Sequence, residues 1–223
     1  MAPNAVEQPA RSLDRVAPSG QSRPVPAVRS GGATVWFTGL PSAGKTTIAT
    51  ALAARLFDAG LPVEILDGDA VRPVLSPELG YSRADRDANV ARIGWVARLL
   101  ARNGVLVLAS VVSPFAAARD SVRALHGEVT FCEVHVATSV EVCAERDVKG
   151  LYAKQRAGGL AGLTGIDGEY EPPSNPELRL DTAGRSVGEV VDQLIEMLAR
   201  AGIDTAGNGT ADKLITHTSR DLI

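Results

Sequence analysis

Residues 39–47 read GLPSAGKTT, a glycine-rich loop that ends in a lysine and two threonines. Gly39, Gly44, Lys45 and Thr46 satisfy the pattern G-x-x-x-x-G-K-[ST], which binds nucleotide phosphates. The glycines let backbone N–H groups surround phosphate oxygens, the lysine brings positive charge to the β- and γ-phosphates, and the threonine hydroxyl is a ligand for Mg²⁺. The alternative is a glycine turn without a ligand. The position of the loop between a predicted strand and a predicted helix favours phosphate binding.

Two carboxylates follow the second predicted strand, in the run LDGDAVR at residues 66–72. In an open α/β sheet the carboxyl ends of the strands lie beside the ligand. Asp67 and Asp69 are therefore candidates for holding a Mg²⁺-bound water and for accepting a proton from an attacking hydroxyl. Arg72 is a candidate for binding an anionic acceptor. An ordinary Asp-Gly turn after the strand is the structural alternative.

The run YSRADRDANVARIG, which begins at Tyr81, places Arg86 and Asn89 three residues apart. This spacing puts both side chains on one face of a predicted helix. For each residue alone, a solvated helix face with charge pairs such as Arg83–Asp87 is a strong competing explanation. Tyr81 is more often a half-buried packing residue than a stacking platform.

Strand and helix patterns alternate along the middle of the chain. Apolar runs rich in β-branched residues predict strands at 34–38, 63–66, 105–112, 130–136 and 178–182. Helices are predicted from the phosphate loop to Gly60, from the capping box at Ser82 to about Asn103, from Pro114, from Thr138 and from Ser186. Strands separated by helices imply an α/β fold of the P-loop NTPase type, with a doubly wound parallel sheet flanked by helices.

One folded domain with two tails accounts for a length of 223 residues. Residues 1–32, rich in Pro, Ser, Ala and Arg, are predicted to be a disordered leader, 33–202 the P-loop domain, and 203–223 a polar tail. Within the domain, 148–176 combine glycines with isolated basic residues. Such a segment is either a lid over a ligand or a disordered insertion. The phosphate loop favours the lid.

Composition narrows the class of protein. A net charge of −3 at pH 7 argues against a general binder of nucleic acid. The sequence has no run of 18 apolar residues and no apolar signal-peptide core, which favours a cytoplasmic protein without a membrane span. Cys132 and Cys143 are too few for a disulfide framework or a metal site, and we expect both to be buried small apolar residues.

Several motifs in order make the sequence resemble the adenylylsulfate kinase (APS kinase) family over residues 34 to about 198: WFTGLPSAGKTT, LDGDAVR, LGYSRADRDANVARIG, SVVSPF, ERDVKGLY and GLTGIDGEYEPPSNPEL. The last two motifs are far more specific than the phosphate loop. The resemblance implies that ATP gives its γ-phosphoryl group to the ribose 3′-hydroxyl of adenosine 5′-phosphosulfate (APS). The products would be 3′-phosphoadenosine-5′-phosphosulfate (PAPS) and ADP. The resemblance also implies Mg²⁺, a homodimer and a place in sulfate activation, with an ATP sulfurylase as a candidate partner.

The resemblance implies a role for each matching residue. Lys45, Asp67 and Asp69 would be catalytic, with Asp69 orienting the 3′-hydroxyl, and Thr46 and Asp67 would hold the metal. The residues implied at ATP are Gly39, Ser42, Ala43, Gly44, Lys45, Thr46, Thr47 and, near the base, Arg146. The residues implied at APS are Asp69, Arg72, Tyr81, Arg86, Asn89, Val112, Ser113, Lys149, Gly162 and Leu163. Tyr81 and Leu163 would contact the two faces of the adenine.

The chain departs from the usual family pattern at several positions. Ala70 replaces the usual Asn, and Tyr81 and Leu163 each replace a Phe, but no phosphate-binding or metal-binding group is lost. Two alternatives stay open: a related P-loop kinase acting on another nucleotide or small hydroxyl acceptor, and a nucleotide-binding regulatory protein without turnover. The retained Asp67, Asp69 and Lys45 argue against the second. A GTPase switch is disfavoured because no N-K-x-D motif is present.

Overall fold

A sheet of five parallel strands lies at the centre of residues 31–206, the part of the chain that this computed structural model describes. The strands are β1 (Ala33–Gly39), β2 (Val63–Asp67), β3 (Leu106–Ser110), β4 (Thr130–Val136) and β5 (Leu178–Leu180). Their order in the sheet is β2-β3-β1-β4-β5, and every pairing is parallel. The chain thus runs from β1 to one edge, returns beside β1 and continues to the other edge, which confirms the predicted doubly wound sheet. The predicted leader up to residue 30 and the predicted tail beyond 206 lie outside the described residues.

Within residues 31–206, seven helices connect the strands. They are α1 (Lys45–Asp58), α2 (Gly68–Leu75), α3 (Arg83–Ala101), α4 (Ala116–His126), α5 (Val140–Arg146), α6 (Leu151–Arg156) and α7 (Val187–Arg200). α1 and α7 cover one face of the sheet, and α3 and α4 cover the other. None of these helices is long and apolar enough to cross a membrane.

Each face of the sheet carries its own apolar layer. All residues of β1 are buried, and its side chains alternate between the two layers. Val35 and Phe37 belong to the layer of α1 and α7, whereas Trp36 belongs to the layer of α3 and α4. A parallel strand covered on both faces is continuously apolar in sequence. This is the pattern that predicted β3, and all of its residues are buried.

The predicted strands and most predicted helix starts are confirmed. Ser82 caps α3 in the expected capping box with Asp85, and Ser186 caps α7 in the same way with Glu189. Both devices satisfy backbone N–H groups that have no partner within the first helical turn. Cys132 and Cys143 are both buried free thiols, as expected.

Two helix starts differ from the prediction by one or two residues. α4 begins at Ala116, and the carbonyl of Pro114 accepts a hydrogen bond from the Glu171 N–H (2.8 Å) in the loop before the helix. Ser139, not Thr138, caps α5. The Thr138 hydroxyl instead lies 3.2 Å from the carbonyl oxygen of Ala43, beneath the phosphate loop. Contacts with distant parts of the chain therefore determine the positions of Pro114 and Thr138, and neither residue starts a helix.

Two short helices, α2 and α6, are absent from the sequence prediction. α2 begins at Gly68 and contains Pro73, and both residue types are poor helix formers. It forms because the Asp67 side chain caps it, accepting the backbone N–H groups of Asp69 and Ala70. α6 lies within the glycine-rich segment, where Asp147 accepts two N–H groups of the first turn in a similar way.

Candidate active site

A cavity of about 950 Å³ opens at the carboxyl ends of β1, β2 and β3. This is where an open α/β sheet binds its ligands, and the volume is at the upper end of the roughly 300–1,000 Å³ that is usual for ligand pockets. The phosphate loop, the D-G-D run, the start of α3, the loop after β3 and the start of α7 line it. The predicted residues that line it are Ser42, Gly44, Lys45, Thr46, Thr47, Asp67, Asp69, Arg72, Tyr81, Arg86, Asn89, Val112, Ser113, Arg146 and Lys149.

The glycines of the phosphate loop are required by its backbone. Gly44 caps α1 with φ 99°, a left-handed conformation that L side chains rarely adopt. A Cβ at Gly39 would lie 2.4 Å from the carbonyl oxygen of Val136, which is closer than any real contact. Ser42 also has a positive φ of 61°. The loop therefore keeps its backbone N–H groups around the N-terminus of α1, where an anion is favoured.

Lys45 is buried at the base of the phosphate loop. Its Nζ donates hydrogen bonds to the carbonyl oxygens of Gly39 (2.9 Å) and Leu40 (2.8 Å). The pKa of Lys45 is lowered from 10.5 to about 8, mainly by burial; Cys143 and Asp67 oppose this shift, and nearby Lys149 contributes to it. A phosphate bound beside this ammonium group would favour its charged form.

Thr46 and Asp67 meet at the ends of α1 and β2. The Thr46 hydroxyl donates a hydrogen bond to Asp67 Oδ2 (2.7 Å) and lies 3.3 Å from the Ser110 hydroxyl. Asp67 Oδ1 is already used by the α2 cap, so Oδ2 is the oxygen that faces Thr46. Within the described residues, no group of three or more His, Cys, Asp and Glu is arranged for a metal. The Thr46 hydroxyl and the Asp67 carboxylate fit Mg²⁺, which keeps several waters and is held by one or two protein oxygens plus phosphate.

Asp69 forms an ion pair with Lys149, which belongs to the predicted lid. Both side chains are more than half exposed. An exposed pair of this kind contributes about 0–1 kcal/mol, so the contact can open at low cost when a ligand enters. The structure therefore brings the predicted acceptor-orienting carboxylate and a lid cation together at the cavity.

Two guanidinium groups flank Tyr81 on the acceptor side of the cavity. The Tyr81 side chain is 72% exposed, with the guanidinium carbon of Arg72 4.5 Å from its ring centre and that of Arg86 5.7 Å away. Arg72 donates to the carbonyl oxygens of Leu79 and Gly80, and Arg86 Nε donates to the Tyr81 carbonyl oxygen (2.9 Å). Burial, and next the charge of Arg72, lower the pKa of Arg86. This corner thus offers an aromatic face beside two cations.

Asn89 lies deeper in the same wall. It is only 5% exposed, and its Oδ1 has no hydrogen-bond partner among the described residues. Buried polar atoms are nearly always paired, so an unpaired amide oxygen lining a cavity fits a donor group on a ligand.

Leu163 and Gly162 lie away from the cavity in this structure, and the contact between Leu163 and the adenine stays a prediction. Leu163 is 5% exposed and packs in the core layer of α1 and α7, and neither Leu163 nor Gly162 lines the cavity. The Asp167 carboxylate holds this turn by accepting the N–H groups of Gly162 (2.9 Å) and Leu163 (2.8 Å). Gly162 is linked to the acceptor side only through its carbonyl oxygen, which accepts a hydrogen bond from Arg86 (3.1 Å).

The sequence prediction missed one wall of the cavity, formed by Thr182, Arg185, Ser186, Val187 and Val190. These residues follow β5, so the rule that ligands lie at the carboxyl ends of parallel strands was the signal that could have found them. Arg146, predicted near the ATP base, lies against this wall. Its guanidinium donates to the hydroxyl (2.7 Å) and the carbonyl oxygen (3.0 Å) of Thr182.

The comparisons with known proteins agree with this geometry. The sequence model of the family described as adenylylsulphate kinase matches residues 31–181. An adenylyl-sulfate kinase of Synechococcus sp. (strain JA-3-3Ab) is 54% identical over 171 residues, which cover 77% of this chain and 96% of that protein.

Two solved structures extend the comparison. The Mycobacterium tuberculosis APS kinase CysC, in complex with AMPPNP and APS, is 44% identical with a TM-score of 0.73, and the match covers 75% of this chain and 98% of that one. A hexameric APS kinase from Thiobacillus denitrificans is 38% identical with a TM-score of 0.59, over 78% of this chain and 30% of that one. The family recognised from the motifs is confirmed: the chain belongs to the adenylylsulphate kinase family.

Proposed function

We propose that the protein transfers the γ-phosphoryl group of ATP to the 3′-hydroxyl of APS, giving PAPS and ADP. The observation that carries this proposal is that one cavity, in a chain of this family, holds a phosphate loop together with Asp69 and the Arg72–Tyr81–Arg86 corner. Phosphoryl transfer requires mainly two things: an acceptor hydroxyl in line with the γ-phosphate, and compensation of negative charge. The side of the cavity with Asp69 can position the acceptor hydroxyl, and the phosphate loop with Lys45 compensates negative charge.

The phosphate loop and Lys45 bind the donor. In the structure, Lys45 is bonded to carbonyl oxygens of its own loop, so it exchanges neutral acceptors for phosphate oxygens when ATP binds. With a pKa of about 8, Lys45 is mostly protonated at pH 7, and bound anionic phosphates would raise this pKa and favour the charged form further. Thr46 and Asp67 are the residues that would hold Mg²⁺. When bound, Mg²⁺ supplies further charge compensation at the β- and γ-phosphate oxygens.

Asp69 and the acceptor-side groups orient APS. Asp69 is the second carboxylate of the D-G-D run, and its side chain is largely exposed. Its carboxylate can accept a hydrogen bond from a ribose hydroxyl once Lys149 moves away. Arg72 and Arg86 neutralise the anionic phosphosulfate group, and Tyr81 provides a face for the adenine. Lys149 then becomes available to the phosphates.

A coupled assay of ADP release tests the function directly. The purified protein is given ATP and Mg²⁺ with APS, with AMP, or without an acceptor, and the product of the APS reaction is identified by mass. We expect ADP release that depends on APS, with PAPS as the product. Turnover with another acceptor but not APS would favour the related kinase, and nucleotide binding without any turnover would favour the regulatory protein.

Several narrower predictions belong to the same proposal. The requirement for Mg²⁺ is supported by the Thr46–Asp67 pair, and the measurement is turnover with and without a chelator. A homodimer and an ATP sulfurylase partner rest on the family resemblance, and a cytoplasmic location rests on the hydropathy of the sequence. The hexameric relative supports assembly of some kind, and light scattering of the purified chain determines which.

A further inference from the structure

Arg119, on α4, is a buried arginine outside the catalytic groups described above. Its side chain is 2% exposed, yet each of its three nitrogens donates a hydrogen bond of 2.7 Å. Nε donates to Glu133 Oε1 on β4, Nη1 to the carbonyl oxygen of Ser113, and Nη2 to the carbonyl oxygen of Glu171. One guanidinium group therefore joins three segments that are far apart in sequence.

Of the three residues that accept hydrogen bonds from Arg119, Ser113 is the one that lines the cavity. It has a φ of 39°, a left-handed conformation that is unfavourable for a residue with a Cβ. Its hydroxyl accepts the indole N–H of Trp36 (3.0 Å), and its carbonyl oxygen accepts Arg119. Such a conformation persists only where surrounding groups hold it. Arg119 is thus one of the groups that fix the acceptor-side wall.

Glu171 lies near the C-terminal end of the glycine-rich segment 148–176. Besides the bond from Arg119 to its carbonyl oxygen, its N–H donates to the carbonyl oxygen of Pro114 (2.8 Å), and its carboxylate accepts the N–H of Ala116 (2.7 Å). The end of the predicted lid is therefore attached to the loop that contains Ser113, and Arg119 connects both.

Stability alone gives no reason for an ion pair at this place. Replacing a buried ion pair by apolar residues of similar volume is often neutral or stabilising. A guanidinium group, however, has rigid, divergent donors that an apolar residue or a lysine does not provide. The three directed bonds suit a role in geometry.

We propose that Arg119 is a positioning residue for the acceptor, which holds the wall at Ser113 and the lid end at Glu171 in one arrangement. The inference rests on the proposed function and on the family resemblance, which implies that Ser113 lies at APS. Arg119 does not line the cavity and acts only through the carbonyl groups of Ser113 and Glu171.

The test compares three variants by their KM values for APS and ATP and by their melting temperatures. Arg119→Lys keeps the charge but cannot reach three acceptors. The double variant Arg119→Gln/Glu133→Gln removes both charges, so no unpaired buried charge prevents folding. Arg123→Gln is the matched control, because Arg123 lies one turn later and pairs with Glu177 and Glu133 without touching the wall.

We expect the KM for APS to rise about tenfold or more in both Arg119 variants, the effect of losing charge-assisted hydrogen bonds, with the KM for ATP unchanged. Arg123→Gln should leave both KM values unchanged. A lower melting temperature with an unchanged KM for APS in the double variant would make Arg119 purely structural and overturn the proposal, as would an equal rise in Arg123→Gln. Absence of APS turnover in the wild-type protein would instead contradict the proposed function.

Discussion

At the scale of single residues, the site is formed by groups that are paired with one another. Lys45 is bonded to its own loop, Thr46 to Asp67, and Asp69 to Lys149. Each pair consists of groups whose proposed partners are phosphate, metal or the acceptor hydroxyl. Ligand binding then replaces one polar contact by another, which avoids leaving a buried polar group unpaired.

Substitution of Lys45 and Asp69 tests their catalytic roles. Lys45→Ala should cripple transfer because it removes positive charge where the phosphoryl group moves. Asp69→Asn should lower kcat with ATP binding largely kept, because the amide cannot accept the hydroxyl proton. Loss of a positioned base or charge typically costs about 10²–10⁴-fold in rate. The measurements are kcat and the Kd for ATP, and near-normal turnover in Asp69→Asn would contradict its role.

The aromatic face of Tyr81 gives a second prediction for single residues. Tyr81 is the one aromatic side chain among the described cavity-lining residues. Leu163, which the resemblance implies at the other face of the adenine, is buried in the core. Tyr81→Ala should raise the KM for APS by tenfold or more, because stacking on an aromatic side chain contributes about 1–3 kcal/mol per base. Tyr81→Phe is the control and should retain the wild-type KM. APS titrations at saturating ATP measure both, and an intact KM in Tyr81→Ala would mean that the adenine lies elsewhere.

Most of the predicted groups that follow β1 and β2 line one cavity, and the sequence could single them out because both a motif and the end of a strand mark them. It did not indicate that Leu163 is buried, because the orientation of this residue depends on a turn closed by Asp167. It also missed Arg119, because a buried arginine has the same sequence pattern as one on a solvated helix face. Arg83 shows the same difficulty: it pairs with Glu169 and Glu171 rather than with Asp87.

At the scale of elements, the ends of the sheet strands position the site, and the glycine-rich segment contributes Lys149 to the cavity. The alternating strand and helix signals were sufficient to predict the parallel sheet, since helices separate successive strands and the central strands β1, β3 and β4 are almost entirely buried. α2 and α6 were not predictable in the same way, because each is short and depends on a single aspartate that accepts backbone N–H groups of its first turn, and α2 also contains Gly68 and Pro73.

The segment 148–176 remains a predicted lid. It reaches the cavity through Lys149, whereas Tyr152 is buried and its hydroxyl donates to the Pro41 carbonyl oxygen (3.0 Å). We expect hydrogen exchange in this segment to slow when ADP and APS are added together, because ordering of a lid protects its amides. The C-terminal half of α7, residues 194–200, lies outside the lid and does not line the cavity, so it is the internal control. Unchanged exchange in 148–176 with both ligands bound would count against a lid.

At the scale of the whole molecule, two histidines make the fold sensitive to acid. His135 on β4 is buried beside the Tyr170 ring, with ring centres 5.9 Å apart. His126 is also buried, and its ring nitrogens bond to the Val122 carbonyl oxygen and the Thr34 hydroxyl. Burial lowers the pKa of both, and that of His135 falls to about 4, with the charges of Arg179 and Arg119 acting in the same direction.

The folded protein should therefore lose stability on mild acidification. An unfolded histidine has a pKa of about 6.5 and takes up a proton as the pH falls below it, whereas folded His135 stays neutral until about pH 4. The stabilising contribution is thus complete above pH 6.5 and is lost progressively down to pH 4. For His135 alone, the loss of unfolding free energy between pH 7 and pH 5 is about 2 kcal/mol. Urea unfolding of the wild type and of His135→Gln at these two pH values measures it. The difference between the pH values should be smaller by about that amount in the variant, since glutamine does not titrate. An equal difference in both proteins would show that folded His135 takes up its proton as readily as unfolded histidine does.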